Sequence, residues 1–196
     1  MRSLILFVLL LFPALASGQS FSPYLQVGVA GSRNSGYNAP YPTVSTGVEY
    51  QNGRLFTQGS ADFGFDVHKD NLGAGYSEGG TGRAYYQVYK NLSVGGGLSY
   101  VYLRTPAWGK SSTSVDVGGI VWFKSGRLYL DYLKAVVDQN HEQTGLFSAE
   151  IGKHWVRPFF QIGVSRYSEP SFCSLACTVY TGAFYAGGLK FMFPIK

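Results

Sequence analysis

The sequence predicts an all-β chain, closed into an antiparallel transmembrane β-barrel of about ten strands. Eight strands are the alternative if the weakly patterned first pair is cut differently. Three observations predict this class. After residue 20, apolar side chains alternate with small or polar ones, and successive strand residues point to opposite faces. Only 14% of the residues are charged, whereas a soluble domain carries about a quarter. The connections between alternating segments are long and short in strict turn.

The first residues stand apart from that pattern. Arg2, an apolar run over 4–12, Pro13 and the small residues of 14–18 form a basic start, a short apolar core and an A-x-A site. This is the pattern of a secretory signal peptide, and the run is too short for a membrane-spanning helix. The expected organisation is a signal peptide over 1–18 and one barrel domain over 19–196. The mature chain of roughly 176 to 180 residues suits one domain. The 16% aromatic content and 26 glycines argue for strands rather than helices.

Taken in order, residues 24–32 alternate weakly, with Leu25, Val27 and Val29 against Gln26, Gly28 and Ala30, before a Gly/Asn/Pro-rich loop over 33–42. Val44, Thr46, Val48 and Tyr50 then oppose Ser45, Gly47, Glu49 and Gln51. Asn52-Gly53 turns the chain, since both residues tolerate positive φ. The third segment sets Leu55, Thr57, Ala61, Phe63 and Phe65 against Gln58, Ser60, Asp62 and Gly64, and a polar loop follows over 68–79. Ala84, Tyr86 and Val88 face away from Arg83, Tyr85 and Gln87, and Lys90-Asn91 makes a tight turn. In the fifth, Leu92, Val94, Leu98 and Tyr100 oppose Ser93, Gly95, Gly97 and Ser99, ahead of a loop over 104–112.

The second half repeats the scheme. Val115, Val117, Val121 and Phe123 oppose Ser114, Asp116 and Gly118, and residues 124–126 turn the chain. Leu128, Leu130 and Tyr132 oppose Arg127, Tyr129 and Asp131, and a loop covers 138–145. Phe147, Ala149 and Ile151 oppose Ser148 and Glu150, with a turn near His154. Phe160, Ile162 and Val164 oppose Gln161, Gly163 and Ser165, and the loop over 167–177 carries both cysteines. The last segment, 178–193, puts Ala183, Tyr185, Leu189, Phe191 and Phe193 on one face and Gly182, Ala186, Gly188 and Lys190 on the other.

Each segment reaches the roughly 9 to 11 residues that a tilted strand needs to cross the hydrocarbon. Aromatics of the apolar parity, such as Tyr50, Phe63, Phe65, Tyr100, Phe123 and Phe193, fall near segment ends, as interfacial girdles do. Signal peptide, two-residue period and loop parity together make the chain resemble the small outer-membrane β-barrel proteins of bacteria, over essentially its whole mature length. The resemblance implies residence in the cell outer membrane and contact with outer-membrane lipid. It also implies insertion by the barrel assembly machinery, which reads an aromatic at the end of the last strand; here Phe193 is that aromatic, with Pro194, Ile195 and Lys196 after it. Its long loops would face outward, available to an extracellular ligand. A soluble secreted barrel is the alternative.

For chemistry, the inward parity collects Glu49, Asp62, Asp66, Asp116, Asp131 and Glu150 against Arg54, Arg83, Arg127, Arg157 and Lys190. Unpaired buried charge is costly, so these are expected to pair across the lumen. Ten strands enclose far less than the 16 to 18 of porins. The expected lumen is therefore mostly plugged, with a narrow passive diffusion pore as the alternative.

The omptin proteases also have ten strands and carry acids and an Asp-x-His at the outer mouth. The corresponding candidates here are His68, Asp70, Asp138 and His141, where a His held by an Asp could activate water. The Asp138-x-x-His141 spacing departs from that family, and solvated loop residues are the expected reading, so no enzyme is expected. Lipid-modifying chemistry would need a Ser with a nearby His and acid on a lipid-facing strand, and the sequence offers none. Cys173 and Cys177, close together in an exported chain, are expected to form a disulfide. Neither a metal site nor a cofactor is expected, and the scattered basic residues argue against nucleic acid.

Overall fold

The computed structural model describes residues 20–33, 40–65, 76–104, 109–137, 142–152, 155–169 and 178–195. These form ten strands: β1 (Ser20–Arg33), β2 (Tyr41–Asn52), β3 (Leu55–Phe65), β4 (Tyr76–Tyr89), β5 (Leu92–Arg104), β6 (Gly109–Phe123), β7 (Gly126–Val137), β8 (Gln143–Ile151), β9 (Val156–Glu169) and β10 (Thr178–Met192). Every strand pairs antiparallel with its neighbours in sequence, and β10 pairs with β1 to close the barrel. Closure leaves no sheet edge, and it satisfies the backbone groups of every strand on both sides.

The closing seam keeps the two faces in step. Leu25 faces Phe191 and Val27 faces Leu189 on the outside, while Gln26 faces Lys190 on the inside. Beyond β10 the chain still follows β1, with Phe193 N–H donating to Pro23 O at 2.8 Å and Ile195 N–H to Phe21 O at 3.0 Å. The first strand, weakly patterned in sequence, is thus held along its length from both sides.

Several strands run further than side-chain pattern alone suggests. β4 begins at Tyr76, inside the segment expected to be a loop, because Ser77, Gly79 and Gly80 pair with Gly64, Asp62 and Ala61 of β3. Here backbone pairing, to which glycine contributes as well as any residue, overrides the missing alternation. Likewise β2 begins at Tyr41, β6 at Gly109 and β8 at Gln143, while β7 continues to Val137 and β9 to Glu169. Register shifts between Gln87 and Tyr89 and between Thr113 and Ser114 mark two irregularities in the ladder. Gly53, at φ 54°, supplies the left-handed residue of the β2–β3 turn.

The packed core is inside the barrel, toward the short-turn rim. Phe56, Tyr85, Ile120 and Tyr129 form it, with Trp122 against them. The Phe56 and Trp122 rings meet edge to face at 5.2 Å, and those of Tyr85 and Tyr129 at 6.3 Å. Such edge-to-face contacts suit the ring quadrupole.

Candidate functional site: the barrel lumen

Inward-facing charges gather into two clusters. In the first, nearer the short turns, Arg127 on β7 pairs with Glu49 on β2 and donates to Glu150 through Nε (3.0 Å) and Nη2 (2.5 Å). Four strands lie between β2 and β7 either way round the ring, so the Arg127–Glu49 pair spans the lumen. Lys190 Nζ donates to Glu49 at 2.6 Å and Glu150 at 2.8 Å and lies 4.0 Å from the centre of the Tyr24 ring. Arg157 stands further off, 3.7 Å from Glu49 and 4.0 Å from Glu150. Three cations thus share two carboxylates.

The second cluster has the opposite imbalance. Arg83 on β4 pairs with Asp116 on β6 and, at 3.3 Å, with Asp131 on β7, and Tyr85 Oη donates to Asp131 at 2.8 Å. The register explains how these strands reach each other. Gly97 lies between Arg83 and Asp116, and Gly95 and Gly118 lie between Tyr85 and Asp131. With no side chain on the intervening inward positions, long groups from either side meet over bare backbone. A Cβ on Gly118 would fall 2.0 Å from Asp131 Oδ1. The excess carboxylate here and the excess cation of the first cluster balance formally.

The aromatic cluster is stitched to the first charge cluster. The Arg127 guanidinium lies 5.0 Å from the Phe56 ring, 5.5 Å from Trp122 and 5.3 Å from Tyr129. These are cation–π distances. Trp122 Nε1 donates to Ser93 Oγ at 2.9 Å, which anchors the indole. On either side lies a cavity. A larger one of about 360 Å³ faces the long connections and includes Tyr24, Gln58, Asp62, Arg83 and Tyr129 in its wall. A smaller one of about 210 Å³ at the short-turn rim is bounded by Phe56, Trp122 and Arg54.

Of the residues singled out from sequence, Glu49, Arg127, Glu150, Arg157 and Lys190 meet in one cluster, and Arg83, Asp116 and Asp131 in the other. Asp62 belongs to neither; it accepts a hydrogen bond from Ser60 Oγ at 2.9 Å in the larger cavity. Arg54 corrects the expectation. It sits in the β2–β3 turn and is exposed at the rim, because the strand begins one residue later. Asp66, His68, Asp70, Asp138, His141, His154, Cys173, Cys177 and the segment 1–18 lie outside the described residues. Sequence reasoning missed Tyr24, Phe56 and Trp122, although each lies two residues from a position assigned inward or to a turn, on the same parity.

No protein-family model matches the chain, and no curated protein does either. Among solved structures it is similar to the outer membrane protein OmpT of Vibrio cholerae, with 12% identity and a TM-score of 0.39, over 79% of this chain and 56% of that one. It is also similar to Neisserial surface protein A, with 11% identity and a TM-score of 0.41, over 90% of this chain and 100% of that one. A third is the outer membrane protease OmpT from Escherichia coli, with 6% identity and a TM-score of 0.48, over 89% of this chain and 97% of that one.

Proposed function

We propose that the chain is an integral outer-membrane β-barrel protein whose lumen is plugged, serving a structural or surface-interaction role rather than conduction. The observation that carries this reading is the inversion of the two faces. Leu130, Val117 and Leu98 are 69%, 62% and 58% exposed, while Lys190, Asp116, Asp131 and Arg127 are 0%, 1%, 2% and 3% exposed. In water that arrangement wastes apolar surface and strands charge inside; in a bilayer it meets lipid with hydrocarbon. The outward belt continues through Val94, Val115, Phe160, Ile162, Val164 and Leu189.

Against a diffusion pore stand the ion pair across the lumen and the aromatic cluster between the two cavities. In this reading the signal peptide of 1–18 exports the chain and the assembly machinery inserts it. Outer-membrane lipid surrounds it, and the long connections meet any extracellular ligand. Cys173 and Cys177 form a disulfide in one of those connections. In this reading His68, Asp70, Asp138 and His141 are solvated loop residues rather than a hydrolase site, since the Asp138-x-x-His141 spacing departs from the Asp-x-His of the omptins.

The test is fractionation of the native envelope together with planar-bilayer recording of the purified protein. Recovery in the outer membrane with no steady single-channel steps is the expected result. Recovery as a soluble monomer would replace the membrane reading, and steady steps would replace the plug. Cleavage of basic peptides that disappears in His141→Ala would make the chain an enzyme.

A further inference from the structure

The larger cavity has two chemically different sides. On one, the rings of Phe159 and Phe184 lie against bare backbone. A Cβ on Gly28 or Gly188 would sit 2.9 Å from the Phe159 ring, and one on Gly163 would sit 2.2 Å from the Phe184 ring. Glycine at these three inward positions lets both rings lie close against the backbone of β9, β10 and β1. The other side, from β2, β3 and β4, offers Ser45, Gln58, Ser60, Asp62 and Thr81, all hydroxyl, amide or carboxylate groups.

Tyr24 also borders the cavity, and its Oη accepts from Gln58 Nε2 at 3.2 Å, which fixes the amide at the cavity wall. Arg83 is committed to Asp116 and Asp131, and Glu150 to Arg127 and Lys190, so neither presents a free charge to an occupant.

We propose that this cavity binds a neutral pyranoside, a mono- or disaccharide, with its C–H face on Phe159 and Phe184 and its hydroxyls toward Ser45, Gln58, Ser60 and Asp62. The electron-rich face of an aromatic ring attracts polarised C–H groups. Hydroxyls and amides both donate and accept, as ligand hydroxyls do. The volume of about 360 Å³ falls within the range of small-molecule sites, roughly 300–1,000 Å³. Entry from outside the cell rests on the outer-membrane reading; binding itself does not.

The test uses the full chain, purified and refolded in a detergent without a sugar headgroup, with maltose as probe and choline as the cationic comparison. Saturation-transfer NMR and calorimetric titration are expected to give saturable maltose binding, with transfer strongest at the ring C–H protons. Loss of one stacked ring in Phe184→Ala should weaken binding roughly threefold to tenfold, and Phe184→Tyr should restore it. Ala186→Leu, which adds bulk inside the cavity, should also weaken it, and Ser60→Ala serves if a ring variant does not fold. Absence of saturable maltose binding, preference for choline, or binding indifferent to all these variants would overturn the proposal. Because the assay is done in detergent, its failure leaves the membrane reading standing, and failed fractionation leaves the binding result standing.

Discussion

Lys190 gives the sharpest quantitative prediction, because it is fully buried in the lumen and shares both carboxylates of its cluster. Replacing it with Met keeps most of the stem volume and removes the charge and two charge-assisted hydrogen bonds, of 2.6 and 2.8 Å. Such bonds contribute about 1.5 to 3 kcal/mol each, and breaking a buried ion pair from one side costs about 3 to 5 kcal/mol. The cluster holds three cations against two carboxylates, so Lys190→Met leaves two against two. Glu49→Gln leaves three cations against one carboxylate and should cost at least as much. The expected loss for Lys190→Met is therefore near the low end, about 3 kcal/mol, with Glu49→Gln nearer 5. Removing both partners restores the original excess of one cation, so the double variant should cost less than the sum. Equilibrium urea unfolding in lipid vesicles, followed by tryptophan emission, measures all three. A cost below about 1 kcal/mol for Lys190→Met, as for an exposed salt bridge, would refute the idea that the cluster is a structural tie.

Other positions test the faces, the glycine spacing and the loop. Leu98→Arg places a charge on the outward belt and should destabilise by about 2 to 4 kcal/mol in the same vesicle assay; a neutral result would invert the face assignment. Gly118→Ala brings a methyl group onto Asp131 and the backbone of β7, and overpacking of this kind costs about 1 to 3 kcal/mol, readable as a lower urea midpoint. Cys173 and Cys177 should appear in non-reducing mass spectrometry as a mass lower by two hydrogens, and two alkylatable thiols in protein from the native envelope would contradict the disulfide.

The ten strands, their order and the two faces are legible in the amino-acid sequence alone, because a strand's side-chain period is a local property and loop parity needs only counting. Leu98 and Ser99, or Leu130 and Asp131, declare their sides by alternation. Where alternation lapses, as in residues 76–80, the strand is decided by pairing with β3, a non-local fact. The lumen is legible in the sequence only as a set of charges. That Lys190 meets Glu49, 141 residues away, while Asp62 stays apart with Ser60, depends on which strands closure sets opposite each other. The glycines follow the same division. In the sequence Gly95, Gly97 and Gly118 are small residues on the inward parity, and only the register shows them lying between groups that must meet. Periodicity along one chain segment fixes the direction of a side chain. The identity of its partner is set by register and curvature around the whole ring, which no single segment encodes.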